Sequence, residues 1–406
     1  MKKQSKLLVI ASLLLVLLLA ACAGNGNAEN VEYIPDDVGT GSKVADAVHS
    51  PDNVGEEAEA ASGFTTPMIA VDGAHTVGLQ NDGSVWTWGL NREGQLGDGT
   101  VIGNNTPGQV QGLTNVIAVA AGTDHTVALQ SDGSVWAWGA NDRGQLGDGT
   151  TVMRTTPVQV LDITDVIAIA ATRNRTMALR SDGSVWIWGI IGPGQLNDPP
   201  IESTTPVQVE GLTNVTEISI SGWQAMILKD DGSVWTWGRN DRGQLGCDTR
   251  GHRRTPAQVQ GLTDVTAIAT TENSAMVLRN DGTVWTWGVA WGVGYYHTPT
   301  QVQDLGNVTA IAAGYVHFLV LQSDGSVWAW GLNEWGQLGD GTTTHSTTPV
   351  QVQDLANVTT IVAATHVSVS YAIQSNGSVW NWGSISSIPI QVSGPEGMGY
   401  LNLGTR

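Results

Sequence analysis

The chain has 406 residues, more than the roughly 250–300 that one packed domain usually holds before it splits or becomes a repeat array. Charged residues are only 14%, yet there are 17 Trp and 51 Gly, which excludes a disordered chain and an average α/β enzyme. Acids outnumber bases 37 to 18, a formal charge of -19 that argues against a nucleic-acid partner, and two cysteines cannot build a disulfide framework.

Lys2, Lys3 and Lys6 are followed by an apolar run from Leu7 to Leu19 and by Leu19-Ala20-Ala21-Cys22. Residues 1–21 read as a signal peptide, and the four residues ending in Cys22 resemble a bacterial lipobox, in which that cysteine carries the lipid. An ordinary secretory signal with a chance cysteine is the alternative. Losing three lysines and no acid would take the charge from -19 to -22. From Ala23 to Ser62 there are nine acids against the single Lys43 and no apolar period, so 22–63 is expected to be a lipidated Cys and a disordered acidic tether. The expected location is the bacterial cell envelope, outside the cytoplasm.

Residues 64–406 carry a repeat. The pairs Trp86/Trp88, Trp136/Trp138, Trp186/Trp188, Trp235/Trp237, Trp285/Trp287, Trp328/Trp330 and Trp380/Trp382 sit at intervals of 50, 50, 49, 50, 43 and 52 residues. Within the unit 116–160, Val116–Ala120, Thr126–Gln130 and Val135–Trp138 read as strands, and Thr156-Pro157-Val158-Gln159-Val160 as an outer one, since Pro suits an edge. Asp132-Gly133, repeated at Asp82, Asp182, Asp231, Asp281 and Asp324 and as Asn376-Gly377, predicts type I′ hairpins. Four antiparallel strands repeated seven times describe an all-β, seven-bladed propeller, with the paired indoles packing between blades; a straight β-solenoid is the alternative.

The segments Ala120–Thr126 (A-A-G-x-x-H-T), Asp132–Gly139 (D-G-S-V-W-x-W-G) and Asn141–Thr150 (N-x-x-G-Q-L-G-D-G-T) resemble the repeat of the regulator of chromosome condensation family over about 67–394. The Val-Trp-x-Trp-Gly wording and the signal are most similar to propeller-type bacterial β-lactamase inhibitory proteins. That resemblance implies a non-catalytic, protein-binding propeller, with an exported β-lactamase or cell-wall enzyme as candidate partner. A carbohydrate-binding or adhesion module is the alternative, and a propeller lyase or hydrolase a weaker one, resting on the scattered His252, His297 and His345.

No chemistry recurs with the repeat. His75, His125 and His317 share one position with Arg175, Gln224, Ser274 and Val369, so a metal ring would be incomplete, and a histidine bonded to strand backbone is expected instead. Asp98, Asp148 and Asp340 read as turn formers rather than calcium ligands, and Cys247 stands where the equivalent units have Asp. No catalytic residue, metal or cofactor is assigned, and a monomer is expected. Residues that break the repeat are the candidates for recognition. Trp223 and Tyr315 fall in turns between the first and second strands. Trp291, Tyr295, Tyr296 and Trp335 fall in loops between the third and fourth, with Arg173, Arg175, Arg239 and Arg242 beside them. Antiparallel order puts all of these on one face, where aromatics and Arg are the usual interface anchors.

Overall fold

The computed structural model describes residues 65–192, 201–290 and 294–404. The tether and Cys22 lie outside them, as does Trp291. The described strands form seven four-stranded antiparallel sheets, each built from consecutive strands. These are seven blades: 68–109, 116–159, 166–208, 215–258, 265–301, 308–351 and 358–391. The first strands of successive blades pack on one another, and the first strand of blade 1 packs on that of blade 7, which closes the ring. The expected architecture is the observed one, with the proline of each unit (Pro107 through Pro389) in the outermost strand.

Blade 2 shows how the sequence builds a unit. Its strands are Val116–Ala121, His125–Gln130, Val135–Gly139 and Arg154–Gln159. The second strand, HTVALQ, is buried on both faces along nearly its whole length, while the outermost is half exposed. Burial therefore falls from axis to rim, and apolar residues follow it.

The hairpins differ from the type I′ expectation. Gly133 Nα–H donates to Gln130 O at 3.0 Å, and Gly133 has φ 80°, whereas Asp132 is not in the left-handed region. This is a three-residue loop: a type I turn closed by a left-handed glycine. Asp132 instead works through its side chain, accepting the Ser134 backbone N–H at 2.9 Å and the hydroxyl at 2.7 Å, which holds its carboxyl below the usual range.

The tryptophans of each pair have separate jobs. The second (Trp138, Trp188, Trp287, Trp330 and Trp382 among them) is fully buried between blades. The first is half-buried, and Trp186, Trp235, Trp285 and Trp328 lie at the rim of the same clusters. There Lys229 lies 4.4 Å above the Trp235 ring, and Arg180 and Arg279 lie 6.0 and 5.9 Å from Trp186 and Trp285.

The long loop after the third strand is a clasp for the next blade. Asn91 Oδ1 accepts from Leu96 N at 2.9 Å, and its Nδ2 donates to Asp98 Oδ1, Thr100 O and Ile102 O. That shape buries Leu96 and presents Gln95 O to Trp138 Nε1 of blade 2, which donates to it at 2.9 Å. Gly97, at φ 70°, lies flat against the same indole, and a Cβ there would come within 2.6 Å of its Nε1. Asn141, Asn240 and Asn333 repeat the arrangement in blades 2, 4 and 6.

Ring closure uses no blade shared between the two chain ends, because Ser386–Gln391 completes blade 7 with its own neighbours. Instead the segment after Val392 turns back. Leu401 and Leu403 are buried with Ile69 and Trp88 of blade 1 and Tyr371 and Val379 of blade 7. Leu403 N donates to Gly377 O at 3.0 Å, and Leu403 O accepts from Asn81 N at 2.9 Å.

Candidate functional site

The two faces of the ring are unequal, as the repeat breaks imply. Turns between first and second strands share a face with the long loops: Leu90 N, at the start of a long loop, donates to Ala74 O in such a turn at 2.9 Å, and Ala140 N to Asp124 O at 2.8 Å. The opposite face carries the glycine turns and blade-to-blade connections, joined by bonds such as Ser131 N to Asn115 O.

On the axis the inner strands leave a cavity of about 50 Å3, room for a few waters at most, lined by small residues including Ala70, Ala120, Ala171, Ala312 and Ala363 together with Asp72 and Thr365. Asp72 is almost fully buried. Its carboxylate takes hydrogen bonds from Arg173 N (3.1 Å) of blade 3 and Thr123 Oγ1 (3.4 Å) of blade 2, and it meets Thr365 Oγ1 and His366 Nδ1 (2.6 Å) of blade 7. Arg173 in turn pairs with Glu272 of blade 5 at 2.7 Å. It passes Gly222 of blade 4, where a Cβ would come within 2.9 Å of the Glu272 side chain. These polar ties cross-link five of the seven blades. Asp72, Glu272 and His366 were not legible as a group, because each stands in a different unit at a turn of variable wording.

The repeated histidines form no metal ring; the backbone of Thr123 and of Arg173 is among the hydrogen-bonding surroundings of His75 and His125. Each reaches into the following blade: His75 Nε2 lies 2.9 Å from Thr126 Oγ1, His125 Nε2 3.0 Å from Thr176 Oγ1, and His317 Nε2 2.8 Å from Ser370 Oγ. Those hydroxyls donate to Gln95, Gln145 and Gln337 O of the clasp loops. Burial pushes the three imidazoles down to about 4, 3 and 4, so they are neutral at physiological pH. Gln224, at the same position, donates to Thr271 O and Ser274 O of the next blade.

Other candidates resolve into loop chemistry. Asp148 accepts from Asn141 and Thr150 and pairs with Arg154 at 2.7 Å. Cys247 is buried, 3.6 Å from Asn240 Nδ2, in the place Asp148 takes in blade 2. His252 and His345 accept the backbone N–H of Asn240 and Asn333 through Nδ1. Asn214, Asn307 and Asn357 have φ between 52° and 58°, a left-handed turn that Asn and Asp tolerate best, which accounts for their recurrence. Among the described residues no group of three or more His, Cys, Asp or Glu could hold a metal ion.

The structure gathers three of the predicted recognition residues. Arg173, Arg175 and Trp223 line one open pocket of about 350 Å3, together with Arg143, which the sequence reading passed over. Arg239 adjoins it, donating its backbone N–H to Trp223 O at 2.9 Å while its guanidinium pairs with Asp241. Trp335 is 61% exposed at the tip of the blade 6 clasp, and Tyr315 is 40% exposed at the channel mouth; neither lines the pocket. Tyr296 belongs elsewhere, packed into the cluster around Trp287. Both tyrosines lie in the strand Gly294–Gln301 rather than in the expected loop, Tyr295 paired with Val289, because the outer hairpin of blade 5 extends its pairing to Ala290 and Gly294. The signal that would have found Arg143 is positional: Glu93, Arg143, Arg242 and Trp335 occupy the same exposed, variable place in the clasp motif.

The RCC1-like domain matches residues 36–295, and RCC1 repeats match 324–371 and 308–337. No curated protein matches the chain. Prp20p from Saccharomyces cerevisiae has the same fold, with a TM-score of 0.68 at 23% identity over 76% of this chain and 86% of its own. A second structure, of yeast RCC1 (Prp20) bound by Kap60, gives 0.69 at 22% over 89% and 91%. Human WBSCR16 gives 0.65 at 22% over 74% and 86%. The first match alone spans well over half of the sequence, and with the seven sheets it shows that the chain belongs to the RCC1-like domain family.

Proposed function

We propose that this propeller is a non-catalytic binding module that receives another exported protein on its irregular face. The observation that carries the reading is Trp335, an indole 61% exposed at a loop tip, on the same face as exposed Tyr315 and the half-buried Trp223. Exposed aromatics on a rigid scaffold are the usual anchors of protein interfaces, and the opposite face repeats polar turns. Propellers of this fold serve such roles: Prp20p is described with binding properties toward Gsp1p and histones, and with Kap60. The signal and lipobox ending in Cys22 support an envelope protein held to the membrane by lipid through the acidic 22–63 tether. A β-lactamase or cell-wall enzyme is then the first partner to try.

The test is capture of envelope proteins by the purified domain, followed by titration of the partner found. Trp335→Ala weakens binding by about 2 kcal/mol, roughly thirtyfold, while Thr114→Ala on the opposite face changes it little. Equal affinities for Trp335→Ala and wild type, or binding to a glycan and to no protein, overturn the reading. Cys22→Ser releases the protein from membranes; retention in that variant removes the anchor.

A further inference from the structure

Arg175 presents an unresolved electrostatic problem. It stands where blades 1, 2 and 6 have a neutral histidine, and it is only 2% exposed. Its Nη1 donates to Gly222 O at 3.3 Å, its Nε has no hydrogen-bond partner, and burial alone lowers its pKa to about 10, with no neighbouring carboxylate to offset it. A buried cation without a counter-charge is unfavourable, and among the described residues none supplies one. The other two guanidinium groups of the pocket are already matched: Arg143 by Glu202 at 2.6 Å and Arg173 by Glu272 at 2.7 Å. Among the described residues one positive charge is therefore left over, beside an opening of about 350 Å3 walled by Trp223 and Ile190.

We propose that the pocket between Arg175, Arg173 and Trp223 is a carboxylate site that takes one acidic group from the bound partner. A single unmatched guanidinium suits a monoanion, a charge-assisted N–H bond favours a carboxylate, and the indole and Ile190 accept the methylene stem that carries it. This deepens the binding-face reading and rests on it for biological meaning, but small probes test the pocket without any partner.

The experiment follows thermal unfolding of the domain in sodium acetate against sodium chloride at equal ionic strength. Ac-Gly-Glu-Gly-amide and Ac-Gly-Gly-Gly with a free carboxyl terminus serve as two further probes. Acetate at tenfold over its Kd raises the folded-to-unfolded ratio about elevenfold and so raises Tm. The better of the two peptides identifies the source as a side chain or a chain terminus. Arg175→Met removes the acetate response. Should that variant not fold, Arg175→Gln places in blade 3 the residue blade 4 carries at Gln224, and it too loses the response. An acetate response unchanged in a folded Arg175 variant, no response in wild type, or a larger response to inorganic phosphate than to acetate each overturns the proposal. If the acetate response is present and Trp335→Ala leaves partner binding unchanged, the pocket stands and the binding-face reading falls.

Discussion

The interface between blades 1 and 2 and the one between blades 7 and 1 solve the same packing problem with different material. In the first, the chain is continuous: Gln95 O of the clasp accepts from both Trp138 and Thr126, His75 sits 2.9 Å from that Thr, and Leu113 of the connection packs half-buried below. At the closure there is no connection, and blade 7 has Val369 in place of the histidine and no long clasp loop. Tyr371 takes over, its hydroxyl 3.1 Å from Thr76 Oγ1, and burial pushes its phenol above the usual range. The tail through Leu403 runs where a connection would run, bonded to Gly377 on one side and Asn81 on the other. A repeat protein needs the same shape at every joint, yet the sequence can supply it from unrelated residues.

Removing the chain from Gly399 onward is the largest expected break. It strips two fully buried leucines and both backbone bonds from the closure, a loss of about 5 kcal/mol or more. Denaturant midpoints and size-exclusion profiles measure it; a parent midpoint would show that the ring closes without the tail.

Acid should weaken the joints that carry a buried histidine. With folded pKa values of about 4, 3 and 4 against about 6.5 unfolded, His75, His125 and His317 bind fewer protons folded than unfolded. Their contribution is complete above pH 6.5 and is lost as pH falls toward the folded values, on the order of 3 kcal/mol for each histidine. Urea midpoints across pH 7 to 4 should fall steeply in wild type and less steeply in His317→Gln. A slope unchanged in that variant would place the acid sensitivity elsewhere.

Leucine truncations compare the two joints directly. Leu403→Ala should cost about 3 kcal/mol and Leu113→Ala about 1, because the first side chain is fully buried and the second only half. Equal costs would mean that the tail is no more critical than an ordinary connection. Smallest is Tyr371→Phe, about 1 kcal/mol for the bond to Thr76, read as a shift in midpoint with an unchanged denaturant slope.

Much of the ring was legible because its rules are local. Strand periodicity, the Asp-Gly turns, the edge prolines and the Trp pairs each act within a few residues, so seven repetitions announce seven blades of four strands. The turn type was misjudged because a side-chain carboxylate, Asp132, organises the loop and leaves only Gly133 left-handed. The side-chain partners of the histidines were not legible, because Thr126, Thr176 and Ser370 lie 51 to 53 residues away in the next blade. Antiparallel order alone puts the first-to-second turns and the long loops on one face, but it does not say which recognition residues meet. Trp223, Arg173 and Arg175 converge because blades 3 and 4 are adjacent in the ring.

By itself the sequence determined the unit, the number of units and the face on which irregular residues stand, since each follows from spacing along one chain. Only the tertiary structure decided how the ring is closed by Leu401 and Leu403, how Asp72 draws donors from blades 2, 3 and 7 over the channel, and that Arg175 is buried with no counter-charge among the described residues. Those outcomes depend on distances between residues far apart in the chain. Such distances are set by the curvature of the whole ring, and no local pattern encodes it.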